Sequence, residues 1–157
     1  MNYGQGFEVM ADLVFTGYLI WAAWQDQREM MVVRYTHGLG LLAVLMLAVV
    51  KRGVIMECPV EYLLGLSVVM LIQFAAYRCH CYGTADVLVF LMCGLYFLLQ
   101  KGPYLYFTAY VMVPALSGCL LLMVQMARRN VQGVYLRRPV AYIPYICVAF
   151  ILSNVVV

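Results

Sequence analysis

Tyr82-Gly83-Thr84-Ala85-Asp86 opens directly onto residues 87–100, VLVFLMCGLYFLLQ. A carboxylate therefore stands at the mouth of a long apolar run, just after small residues that let the backbone pack tightly. A charge at that depth is costly, and a chain this apolar keeps one for a reason. Of the 157 residues, 66% are hydrophobic and 11% charged, and the mean hydropathy is +0.91. A soluble domain cannot hide so much apolar surface behind so few charges. The expected fold class is all-α, a polytopic membrane protein. At about 20 residues per crossing plus short loops, the chain has room for about six transmembrane helices in a single domain, 1–157.

On either side of the central run lie five more apolar segments, at 9–25, 37–50, 60–77, 104–127 and 139–157. The run at 37–50 is close to the lower limit for a span. Trp21 and Trp24 mark an interfacial belt at the exit of the first run, so Asp26 emerges at a headgroup boundary and begins a segment to Thr36 that reads as the first loop or as an amphipathic extension of the helix. Lys51-Arg52-Gly53 begins a turn that continues through Pro59, and Lys101-Gly102-Pro103 is a compact turn signal. Pro114 sits inside the fifth run, and Arg128 to Arg138 reads as a basic loop. Glu8 and Asp12, one helical turn apart, read as a solvated outer end.

Orientation follows from lysine and arginine. Seven, Arg28, Arg34, Arg78, Arg128, Arg129, Arg137 and Arg138, fall after the first, third and fifth runs, against Lys51, Arg52 and Lys101 on the side of both termini. The positive-inside rule makes the first side cytoplasmic and puts both termini outside. Asp26 closes the first run and Asp86 opens the fourth, so both acids fall on the cytoplasmic side. The net charge of +3 lies in loops and serves topology, so no nucleic-acid partner is expected.

Six cysteines are scattered mostly through apolar runs without paired CxxC spacing, so neither a metal nor another cofactor is expected. Cys79-His80-Cys81 reads as a loop, since adjacent residues seldom face each other as nucleophile and base. His37 reads as interfacial. No basic residue precedes the first apolar run, which speaks against a cleavable signal peptide.

Paired carboxylates that share one proton can cut a peptide bond. The ionised one acts as general base on a water; the protonated one polarises the scissile carbonyl and later protonates the leaving nitrogen. Close approach in a partly desolvated site disfavours two negative charges, so such a pair titrates as a unit. The cytoplasmic side offers no Ser/His/Asp set, HExxH or phosphate-binding glycine loop. Gly83 tolerates unusual backbone angles and Ala85 adds little bulk, which would let a substrate strand lie close to Asp86. The plain alternative for Asp86 is a helix N-terminal acid favoured by the dipole; that alternative is weaker for Asp26, which ends a helix.

The Asp26 segment and Gly83-Thr84-Ala85-Asp86 together resemble the type IV prepilin peptidases, membrane aspartyl proteases whose second acid lies in a GxGD or GxAD motif. Pro139-Val140-Ala141-Tyr142-Ile143-Pro144-Tyr145 is similar to the Pro-aromatic-x-Pro-aromatic pattern that opens their last helix. The resemblance implies a six-helix core that cuts the leader of prepilin-like precursors at the cytoplasmic membrane face, typically after a glycine. It implies Asp26 and Asp86 as catalytic acids, with Gly83, Thr84 and Ala85 along the substrate path and a membrane-bound prepilin as partner. Nothing here matches the cysteine-bearing methyltransferase region of larger members, so a peptidase-only form is expected. Met30-Met31-Val32-Val33 replaces the usual Ile-Pro-Asn, and Leu88 stands where lysine is common. Glu29 is a candidate for meeting the positive charges of a leader, with a solvated interfacial acid as its alternative. A proton-coupled transporter and a non-catalytic assembly protein are the other functional classes, and a homo-oligomer stays open.

Overall fold

Apolar side chains face outward in this protein as readily as inward. The computed structural model describes residues 3–79, 82–132 and 141–156. These form α1 (Tyr3–Glu29), α2 (Arg34–Val50), α3 (Arg52–Glu57), α4 (Pro59–Arg78), α5 (Thr84–Lys101), α6 (Tyr106–Gln132) and α7 (Ile143–Val156), with no strand among the described residues. Leu13, Val49, Leu63, Leu71, Met123 and Val155 are each at least 63% exposed. Such an exterior suits hydrocarbon, not water. Four helices carry apolar stretches long enough to cross a bilayer, at Gly6–Glu29, Pro59–Arg78, Thr84–Lys101 and Tyr106–Ala127, while α2 and α7 are apolar but shorter. The chain is an all-α polytopic membrane protein.

The apolar runs locate every long helix but misplace several ends. α1 continues to Glu29, so Asp26 belongs to its last turns: of the two readings of this segment, the helical extension is the one present as far as Glu29. α2 starts at Arg34, which lengthens the weakest expected span to 17 residues. Arg52–Glu57, expected as part of a turn, is a short helix with no buried residue. α6 runs through Arg128 and Arg129 to Gln132 where a basic loop was expected, because arginine is a good helix former and nothing there breaks the helix. Arg137, Arg138, Pro139 and Val140, like His80 and Cys81, lie outside the described residues. Gly102 has φ +82°, a left-handed angle that suits glycine, and the turn expected there is present.

α5 is the hub, packed against α2, α4, α6 and α7, while α1 packs on α2 and α7. An aromatic cluster joins three of these helices: the Phe15 and Tyr96 rings stack at 4.3 Å, and Phe150 meets Phe97 at 5.0 Å and Phe15 at 5.1 Å. α4 touches the bundle along a narrow stripe, Tyr62, Gly65, Val69 and Gln73. A Cβ on Gly94 would sit 2.7 Å from Val69, so the α4–α5 approach depends on the missing side chain.

Two ends of the bundle follow from these contacts. At one, Glu8 of α1 pairs with Lys51, just after α2, at 2.8 Å. At the other, the last turns of α1 meet the starts of α5 and α7. Glu8 and Asp12 do not form a solvated end together: Asp12 is half-buried and accepts the Tyr96 hydroxyl. His37, in the first turn of α2, is buried against α1, with Nδ1 3.1 Å from the Tyr18 hydroxyl.

Candidate active site

The buried face of α1 runs Ala11, Phe15, Tyr18, Leu19, Ala22, Gln25, Asp26. This is one helical stripe with three- and four-residue spacing, and its last member is a carboxylate. Asp26 is 8% exposed. The backbone turns away four residues later at Met30, whose φ of 54° is left-handed and whose N–H donates to the Asp26 carbonyl at 2.9 Å. Gln25 ties down the connection that follows, its Oε1 accepting from Thr36 Oγ1 at 2.8 Å and from the Val33 N–H at 3.4 Å. Glu29, the last residue of α1, is exposed. Next to it, the Arg28 guanidinium lies 5.1 Å from the Trp24 ring.

Asp86 is the third residue of α5, half-buried, and its Oδ2 accepts the Gly83 N–H at 3.2 Å. Gly83 has φ −64° and ψ 158°, ordinary extended backbone, so unusual angles are not what glycine provides here. It provides room: a Cβ at Gly83 would stand 3.2 Å from Asp86 Oδ2. Thr84 is exposed, and Ala85 packs against the core.

The two acids lie at the same end of the bundle: Asp26 bonds the start of α7 at Ile143, and the neighbouring Tyr142 stacks on Tyr82 just ahead of Asp86. Among the described residues, neither has a cationic partner within ion-pair distance. Asp26 Oδ2 accepts the Ile143 N–H at 3.0 Å, from the first residue of α7. Just before it, the Tyr142 ring lies parallel to Tyr82 at 5.6 Å, and its hydroxyl is 2.8 Å from Ser117 Oγ on α6. A groove of about 420 Å³ opens beside Asp86, walled by Tyr82, Gly83 and Tyr142 and by the Pro114–Gly118–Leu121–Leu122 face of α6. Asp26 is not part of its wall; its carboxylate is bonded to the Ile143 N–H, one residue after Tyr142.

Sequence reasoning names both acids and the Gly83 segment but gives no role to Tyr82, Ser117, Tyr142, Ile143 or Gln25. Tyr142 and Ile143 stood in a motif whose task the sequence does not give, and Gln25 is a polar residue on the buried stripe of α1. The contribution of Ile143 is a backbone N–H, which no side-chain pattern reports.

Fold and site together define a polytopic membrane protein with an acid-lined groove at one end of its helical bundle. Residues 13–134, well over half the chain, match the type IV leader peptidase family, and the chain belongs to it: this is a membrane peptidase. The match includes both Asp26 and Asp86 and ends before α7. No curated protein and no solved structure matches the chain.

Proposed function

We propose that the protein is an aspartyl endopeptidase that removes the leader of prepilin-like precursors at the cytoplasmic face of the cell membrane, with Asp26 and Asp86 as the proton-sharing pair. One observation carries this reading. Two acids from helices distant in sequence gather at one end of the bundle, linked through the start of α7, and one of them, Asp86, lines a groove. In an apolar setting an ionisable group without such a use is rare.

Water is the nucleophile. As its oxygen bonds to the scissile carbonyl carbon, the ionised carboxylate takes one of its protons, and the protonated partner hydrogen-bonds the developing oxyanion. The C–N bond then breaks while that partner gives its proton to nitrogen, leaving a carboxylic acid and an amine. Proton exchange across the pair restores the starting state. The excess of arginine at the Asp26 end supports the cytoplasmic assignment, with both termini outside. Exposed Thr84 and Glu29 are available to a leader arriving from that side. The test is co-expression with a prepilin and sequencing of the new N-terminus. Asp26→Asn and Asp86→Asn should each insert normally and leave the precursor uncut; cleavage at the wild-type rate by either variant would remove that residue from the pair.

A further inference from the structure

Pro139 to Tyr145 is a recognisable stretch to which the peptide-cutting chemistry alone assigns no task. Its described part, from Ala141 to Tyr145, suggests one. The Tyr142 carbonyl accepts from Tyr145 N–H at 3.0 Å and Ile146 N–H at 3.3 Å, so Tyr142 caps α7 and Ile143 is the first helical residue. A helix start ordinarily leaves several amides without partners. Pro144 has no N–H to present, and that of Tyr145 is used. The Ile143 N–H remains, on a fully buried residue where water cannot satisfy it, and Asp26 Oδ2 takes it at 3.0 Å. The Tyr142 N–H lies beside the same carboxylate. The start of α7 is itself held from two sides, by the Tyr82 ring and by Ser117.

We propose that the first turn of α7 is the positioning element for Asp26, and that the Ile143 N–H makes Asp26 the ionised, water-activating member of the pair while Asp86 carries the shared proton. The proposal rests on the proton-sharing reading above. Amides can only donate, and donors gathered at a helix N-terminus favour a full negative charge on the oxygen facing them. Asp86 also lies in the first turn of a helix, but it has one longer bond, 3.2 Å from Gly83, and its carboxyl lines the groove where a scissile carbonyl would lie. The pair holds one charge comfortably, and that charge goes to Asp26. The water proton then passes to Asp26, and the Asp86 proton goes to the leaving nitrogen. Ile143 is a positioning residue that acts through its backbone.

The geometry supplies its own test, because proline is well accepted at the first helical position and removes the N–H in question. Ile143→Pro is compared with Ile143→Ala, which keeps the N–H but loses more side-chain packing, both as purified full-length protein cutting a prepilin in lipid. The expected result is that Ile143→Pro lowers kcat at least tenfold relative to Ile143→Ala, with KM within twofold. The acid side of its pH–rate profile should move to higher pH, as expected when a base loses a donor that favours its ionised form. Should Ile143→Pro fail to insert, the α-hydroxy analogue of isoleucine at position 143 removes the same N–H without changing the side chain. Equal kcat and superimposable pH profiles for the N–H-deleted protein and Ile143→Ala would overturn the proposal while leaving the pair intact. Cleavage by Asp26→Asn would instead overturn the reading beneath it.

Discussion

At one end of the bundle Glu8 is paired with Lys51 and Asp12 takes the Tyr96 hydroxyl; at the other, Asp26 and Asp86 are held by backbone amides and face each other's charge. Other acids lie at both ends, Glu57 and Glu61 at the first and Glu29 at the second, but these two pairs differ in the kind of partner they have. A side-chain partner neutralises or occupies a carboxylate and leaves it little to do beyond holding helices together. An amide orients a carboxylate without taking away its capacity to accept a proton. The difference separates acids that the bundle uses for packing from acids that remain chemically available.

The sharpest way to break the comparison is to neutralise one acid at a time. Asp26→Asn and Asp86→Asn should each lower prepilin cleavage by about 10³-fold or more, near the upper part of the range for general acid–base groups. Glu8→Gln and Asp12→Asn should stay within about threefold of wild type in the same assay, since neither acid is near the groove and only their local bonds change. Asparagine keeps an acceptor for the Ile143 and Tyr96 donors, so the bundle should still assemble. An inactive Asp12→Asn with a normal melting curve would mean that the two ends are not separate in function.

Next in size is the groove. A Cβ on Gly118 meets nothing within 4 Å, so the fold accepts a side chain there. Gly118→Leu should fill the groove and raise KM for the prepilin about tenfold, and the helix should melt no earlier because leucine is a better helix former by about 1 kcal/mol. Unchanged KM would place the substrate elsewhere. Gly83→Ala, which crowds Asp86 Oδ2, should lower kcat several-fold, on the order of 1 kcal/mol in barrier, with little change in KM.

Smaller effects probe the other end and the turn beside Asp26. Tyr96→Phe leaves a half-buried Asp12 without its donor and should cost about 1–3 kcal/mol of stability in a detergent melt, with activity per folded molecule unchanged. Met30→Gly relieves a left-handed backbone angle and should add about 1 kcal/mol; a loss of stability would show that the Met30 side chain matters more than its φ.

Composition and spacing made much of this protein legible. An apolar fraction of 66% with few charges has no folded solution in water, so the membrane class needs no structure. Small residues before Asp86 mark its approach, whereas the inward face of α1 that ends on Gln25 and Asp26 shows only in the structure, because apolar residues surround that helix on all sides. Helix ends were less legible, because hydropathy reports where a chain prefers lipid and not where its hydrogen bonds stop. Arg128 and Arg129 leave the apolar run without leaving α6. Glycine at position 83 was expected for its backbone freedom, whereas its angles are ordinary and what its missing side chain leaves is space beside the Asp86 carboxylate.

By itself, then, the order of residues determined that the chain is a helical membrane protein, that two of its acids belong to the same side, and which family pattern they fall in. The first two are properties of composition, periodicity and charge counting, local to a helix or its loops; the third is the resemblance carried by the short motifs around Asp26, Asp86 and Tyr142. Only the tertiary structure decided which partner each acid receives: Tyr96 for Asp12 across 84 residues, and the Ile143 amide for Asp26 across 117. Helix neighbours follow from the summed packing of whole faces, and a backbone N–H looks the same in every residue that has one. Such partners become visible only when the helices are in place.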